Sequence, residues 1–403
     1  MSIIPAAEPK TGFAARAHFQ FLDGIRGLAA LTVMCCHIIN IAYSAAPVSQ
    51  MSPALRGASH LIQLGHCAVC AFIVLSGFCL MLPVAGAPAR QLAGGLKGFA
   101  ARRARRILPP YYAALALTIL LPAIHATVVR LTNHQHEPFF LPVRASNLIS
   151  HLLLVHNLRA DLLMALDGPT WSVATEWQIY FVFALVLLPL WRRFGGLPTF
   201  FGAVLLGTAP YFVLPANHNF AGSACSWLLG LFAMGMLGAT MIRSESASVI
   251  SFRRRMHWGA IAAISAVLIY PIYIFYPSAV LWRCYWLLDF FAGLPILCLI
   301  LYCGQFEDNC ESKPSIALRV LNSKAAQAVG AFSYSLYLIH VPLLEQIDRF
   351  LPQGLSADER WGMLAAIGLP LVLAAAYLFY LAVERPFLRQ NRRHREPSMR
   401  SAL

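Results

Sequence analysis

Charge is scarce in this sequence. Charged residues make up 12% of the 403, against about 25% in soluble globular domains, and acids are scarcer than bases, with 17 Asp and Glu against 31 Lys and Arg. So little charge cannot cover a soluble domain of this length, and no segment between the apolar runs is long enough to fold as one. The net charge of +14 would suit a nucleic-acid binder, but no folded soluble segment presents a basic face, so no nucleic-acid partner is expected. A disulfide framework is missing too. Of the ten cysteines, Cys35, Cys36, Cys67, Cys70, Cys79, Cys225, Cys298 and Cys303 fall within or at the ends of apolar segments, where a thiol acts as a small hydrophobe. Cys67 and Cys70 form a C-x-x-C after His66, but no second ligand pair follows at a usable spacing, and no metal is expected. A cleavable signal is absent because the first apolar stretch is too long and carries its own charges, so it is expected to remain as the first transmembrane helix. There is no internal repeat.

What is present is apolar residue, at 59% of the chain, in runs of about 20 residues, the length that spans a bilayer as helix. The expected fold is all-α and polytopic in a lipid bilayer. Ten spans are predicted over 22–46, 60–82, 107–127, 171–190, 197–215, 223–242, 257–276, 281–303, 325–347 and 361–383. The stretch 148–158 is apolar but too short, and reads as a re-entrant or surface segment. With the N-terminus inside, 23 of the 31 Lys and Arg fall on cytoplasmic segments and the other eight on outside loops or within the spans, as the positive-inside rule requires. Both termini are therefore expected in the cytoplasm. Residues 1–18 form a cytoplasmic segment, 19–389 the membrane domain and 390–403 a basic tail.

The first span keeps Asp23, Arg26 and His37, although a charge at a helix centre costs about 2.5–3.5 kcal/mol on insertion scales. Arg26 and His37 are eleven residues apart, about three turns plus 20°, so they share a face with a rise of about 16 Å between them. They would line one wall of a channel; alternatively Asp23 and Arg26 pair locally and His37 bonds a neighbouring helix. Arg103 and Arg106, one turn apart at the start of the third span, offer two guanidinium forks to one anion, or simply obey the positive-inside rule. In "DGPTWSVATEWQIYF" (167–181), Glu176 lies about 8 Å below the outer helix end, a depth like that of His37. The two form a candidate base pair, the acid orienting the imidazole. Trp171 either touches substrate or, with Trp177, anchors the interface.

Six strings in order, "FLDGIRGLAAL…H", "FIVLSGF", "RRARRILPPYY", "TWSVATEWQIYF", "FSYSLYLIHVPLL" and "VERPF", resemble the successive motifs of the acyltransferase-3 family of membrane acyltransferases, from about Phe19 to Arg389. The resemblance implies transfer of an acyl group, often acetyl, from cytoplasmic acyl-CoA (acetyl-CoA in the simplest case) to a sugar or other acceptor across the membrane. Carried over residue by residue, it sets Arg26 with His37, Arg103 with Arg106, and Trp171, Ser172 and Glu176. His37 and Glu176 are then the catalytic candidates, Arg26, Arg103 and Arg106 the donor-binding ones, and Trp171, Ser172 and His340 the acceptor-binding ones. Thr175 stands where Val or Ile is more usual, and Arg105 is an extra arginine. Some relatives carry a C-terminal esterase-like domain, for which this chain is expected to end too soon. The expected acceptor is a carbohydrate or glycolipid, the partner a polysaccharide assembly system, and the location the bacterial inner membrane. A transporter or flippase for lipid-linked sugars is the competing class, though its usual inverted repeats are missing.

Among the remaining polar residues, Ser76 and Gly77 read as small packing residues, and Asp289 as an intramembrane acid without an evident partner. Glu384 and Arg385 are expected to pair. His134, His136 and Glu137 read as a solvated loop, with metal binding as the alternative.

Overall fold

The computed structural model describes residues 19–132, 143–214, 220–276, 278–308 and 315–388. The N-terminal segment, the basic tail and the loop with His134, His136 and Glu137 lie outside the described residues. Lipid offers the backbone no hydrogen-bond partner, so each apolar run satisfies its own as helix. Among the described residues there is no strand, and nine helices are long and apolar enough to cross a membrane. A tenth is a pair of helices meeting at a 72° bend. In chain order they are α1 (Gln20–Ser44), α2 (Pro53–Ala85), α3 (Gly95–Leu131), α4 (Gly168–Phe194), α5 (Gly196–Val213), α6 (Gly222–Ile242), α7 (Trp258–Phe275), α8 (Val280–Phe306), α9 (Lys324–Ala331 and Ser333–Phe350) and α10 (Ala357–Leu388). Each matches one predicted span. α3 departs most, starting at Gly95, about three turns before the predicted boundary, so Arg103 and Arg106 sit well inside a helix.

The interior is organised around α6 and α2, whose apolar windows are 78% and 72% buried, whereas α7 is 11% and α5 and α10 are 17% buried. The last three turn most of their surface outward, the position of lipid-facing helices. α2 and α6 meet backbone to backbone: a Cβ on Gly77 would strike the Phe232 carbonyl, and one on Gly235 the Val74 carbonyl. α1 approaches the first limb of α9 and the short helix before it in the same way, through Gly24 against Leu321 and Gly27 against Ala326 and Gly330. Such contacts are how helices associate where lipid is as apolar as leucine.

The bend in α9 falls at Phe332, with φ −116° and ψ 17°, between Gly330 and Ser333, whose hydroxyl donates to the Gly330 carbonyl at 2.9 Å. Gly and Ser are common kink formers. A π-turn over Tyr380–Glu384 rotates the end of α10, leaving Glu384 buried.

The stretch 148–158 does not cross. It forms a helix, Ala145–Leu152, and a single turn, His156–Leu158, and is pinned down by polar groups. Tyr111 and Tyr112 donate to the carbonyls of His151 (3.0 Å) and Leu152 (2.8 Å), and Asn157 Nδ2 donates to Thr175 Oγ1 at 2.9 Å. Thr175, the departure from the expected motif, thus fastens this segment to α4. Burial, with the stacked His151 ring adding, pushes His156 down to about 3.

Candidate active site

Two cavities among the described residues gather polar groups of the bundle. One, of about 700 Å³, lies where the starts of α1 and α3 meet the end of α10, and is lined by Arg26, Arg103, Arg106, Glu176 and Glu384. Of the arginine run, Arg102 donates to the Ala93 carbonyl at 2.6 Å and Arg105 is exposed, which leaves Arg103 and Arg106 to face the cavity. The Arg103 guanidinium lies 5.9 Å from the Tyr180 ring centroid, and its Nε is buried without a hydrogen-bond partner. Arg26 pairs with Asp23 at 2.8 Å and also donates to Cys79 Sγ at 3.0 Å. The local pair and the cavity-facing position therefore coexist.

Glu176 also belongs to this basic chamber. It accepts from the Ser76 hydroxyl and from Tyr180 Oη at 2.5 Å, so Ser76 is more than a packing residue. The expected Glu176–His37 pair does not form. Helix rise gives depth but not azimuth, and Glu176 turns to the side of α4 that carries Tyr180 and faces Ser76. Glu384 likewise accepts from Ser335 at 2.6 Å rather than pairing with Arg385, because adjacent helical residues point about 100° apart.

The second cavity, of about 590 Å³, is lined by His37, His66, Asp167, Trp171 and Tyr285 among others. His37 Nδ1 lies 2.9 Å from the Val33 carbonyl. A carbonyl oxygen only accepts, so Nδ1 carries the ring proton. His340 Nδ1 donates to the Tyr337 carbonyl at 2.7 Å, which leaves its Nε2 to accept from His37 Nδ1 at 3.2 Å. Nε2 is then the unprotonated nitrogen of His37. His340 is buried behind His37 and does not line the cavity, which corrects its expected place beside the acceptor. Asp167 is 3% exposed and neither of its carboxylate oxygens has a partner. Burial, with Glu345 adding, holds its carboxyl well above the usual range.

Val69 and Tyr337 line both cavities, so they form a wall shared by the two. Tyr337 Oη lies 2.9 Å from the Pro169 carbonyl and 2.6 Å from Ser172 Oγ, and its ring meets Phe72 edge-on at 5.8 Å. Trp171 faces the histidine chamber and Ser172 the basic one. The two expected acceptor contacts are thus separated by the wall.

Asp289 has partners that the sequence did not reveal. Its carboxylate accepts from His66 Nε2 at 2.9 Å, Tyr273 Oη at 2.9 Å and Trp227 Nε1 at 2.7 Å. His66, Cys70 and Asp289 bring ligand-type atoms within 4.8 Å of one another, but both oxygens of the acid are already engaged by N–H and O–H donors. All nine cysteines among the described residues are free thiols.

The profile of a family described as an acyltransferase domain matches residues 19–381. The chain belongs to the acyltransferase-3 family. No curated protein and no solved structure matches it. As a member of the acyltransferase-3 family it is a multi-pass membrane acyltransferase, which favours acyl transfer over the transport alternative. The acyltransferase-3 motifs recognised in the sequence converge on the two chambers: Arg26 and His37 reach one each, Arg103 and Arg106 share the basic chamber, and Trp171, Ser172 and Glu176 divide across the wall.

Proposed function

We propose that this acyltransferase moves an acyl group, acetyl in the simplest case, from acyl-CoA at the basic chamber to a hydroxyl of a carbohydrate or glycolipid in the histidine chamber. The observation that carries this reading is the shared wall: Arg26, Arg103 and Arg106 line one side and an imidazole with a free Nε2 lines the other, separated by Val69 and Tyr337. Arg103 and Arg106 hold the donor's phosphates, since planar guanidinium forks bind phosphate bidentately, and the unpartnered Arg103 Nε suits such an anion. Arg26 adds charge along the same side. His37 Nε2 then meets the acyl carbon arriving past Tyr337, either as a base towards the acceptor or as its temporary carrier. Support for a sugar acceptor comes from Trp171, Trp282 and Tyr285 sharing a chamber with the unpartnered Asp167. Aromatic faces cover the C–H side of a sugar, and a buried carboxyl that keeps its proton donates to one hydroxyl and accepts from another.

The charge asymmetry supports a basic chamber open to the cytoplasm, and the family resemblance supports a bacterial inner membrane beside a polysaccharide assembly system. Acyl-labelled acetyl-CoA added to membranes that contain the protein, followed by fractionation, tests this. Label in lipid-linked or polymeric glycan is expected. Label confined to free acetate would remove the carbohydrate acceptor.

A further inference from the structure

The reading above leaves one polar constellation unused, the His66–Asp289 pair. His66 stands in the first turn of the regular helix of α2, Leu64–Ala85, and its ring stacks on Tyr285 at 4.2 Å and lies 6.1 Å from Trp171 at an interplanar angle of 19°. Nε2 lies 2.9 and 3.0 Å from the two oxygens of Asp289, which is 0% exposed. A carboxylate oxygen only accepts from an imidazole, so Nε2 carries the proton and Nδ1 has the lone pair. Among the described residues Nδ1 has no hydrogen-bond partner, while the ring lines the same cavity as His37. An imidazole whose far nitrogen is held by a buried acid, and whose near nitrogen is free in a reaction chamber, is how a general base is oriented. The acid is itself fixed by Tyr273 and Trp227, so it stays in place and stabilises the cation formed when His66 takes a proton.

We propose that His66 is a second catalytic residue, the base that takes the acceptor's proton, with Asp289 as its positioning residue, while His37 carries the acyl group. This rests on the acyl-transfer reading above. In the first half, His37 Nε2 bonds to the acyl carbon as the carbon–sulfur bond breaks and the electron pair leaves with the thiolate. The acyl-imidazolium that results keeps its proton on Nδ1. In the second half, the acceptor oxygen bonds to the acyl carbon, its proton passes to His66 Nδ1, and the bond from the carbon to Nε2 breaks, returning neutral His37. The proton on His66 is then released to neutralise the thiolate's charge, so the sum is thioester plus alcohol giving ester plus thiol.

The two histidines therefore fail at different steps, which a two-stage measurement separates. Purified full-length protein in detergent is mixed with acyl-labelled acetyl-CoA, and label on the protein is followed before and after adding octyl glucoside as a hydroxyl probe, with release to water followed alongside. Wild-type protein is expected to acquire label and lose it. His66→Ala should acquire label normally and lose it at least about 100-fold more slowly, the range for a missing general base, and added imidazole should restore part of the release. Asp289→Asn should slow release less, with labelling intact. His66→Ala protein that releases label at the wild-type rate, or that never acquires it while wild type does, overturns the assignment. If wild-type protein itself acquires no label, His37 is not a carrier and the division of labour falls with it.

Discussion

With Nδ1 of His37 committed to Val33 and His340, chemistry at this ring is confined to Nε2. His37→Ala is expected to lower product formation by about two or more orders of magnitude, the usual cost of losing a positioned base or nucleophile, with donor binding unchanged in a filter-binding assay. His340→Gln should cost less, because an amide oxygen can still accept from Nδ1. At Asp167 the sign of the pH effect follows from burial. Its carboxyl is held above the usual range, so the folded chain keeps a proton that the unfolded chain releases, and stability falls as pH rises from the ordinary carboxylate range towards the raised value. Asp167→Asn should therefore raise the thermal midpoint near neutral pH, with the gain vanishing in acid, yet raise KM for the acceptor. The sequence placed Arg26 and His37 on one face, and Arg103 with Arg106 on another, because those relations lie within single helices. It could not pair His37 with His340, or His66 with Asp289, across hundreds of residues. The one signal it gave was that each ionisable group inside the membrane needs a partner.

Helix pairs impose their own conditions. Gly77 and Gly235 let α2 and α6 touch through their backbones, and α2 also carries His66, Val69 and Ser76 into the two chambers. Gly77→Leu should force these helices apart, lower stability by about 1–3 kcal/mol or more, as overpacking does, and reduce activity, read by thermal unfolding in detergent and by turnover. On α3, Arg103→Ala and Arg106→Ala should each weaken acetyl-CoA binding by about tenfold or more, as loss of a charge-assisted hydrogen bond to an anion implies. Lys should rescue only in part, since it lacks the planar fork. Equal affinity in the double alanine variant would reduce the pair to a sidedness signal. The ten spans were legible from hydropathy alone because lipid demands long apolar helices. The α9 bend and the π-turn that buries Glu384 were not, since both depend on what packs beside them.

For the whole molecule, orientation rests on the distribution of Lys and Arg, 23 of 31 on one side. A reporter fused after Arg400 should read cytoplasmic and one inserted near His134 external; an external C-terminus would reverse the chambers. The wall between those chambers has an electrical consequence. Cavities of about 590 and 700 Å³ lined by polar groups admit water, and water conducts the membrane voltage inward until it meets the layer of Val69 and Tyr337. With the basic chamber open to the cytoplasm and the histidine chamber to the outside, as proposed above, most of the potential falls across a side chain's thickness. A neutral acetyl group passes that layer without electrical work, whereas a succinyl group with a free carboxylate, leaving the negative side, is driven outward by about 2.3 kcal/mol per 100 mV. An enzyme built on this plan handles uncharged acyl groups at a rate indifferent to whether the membrane is energised, and anionic ones at a rate governed by it.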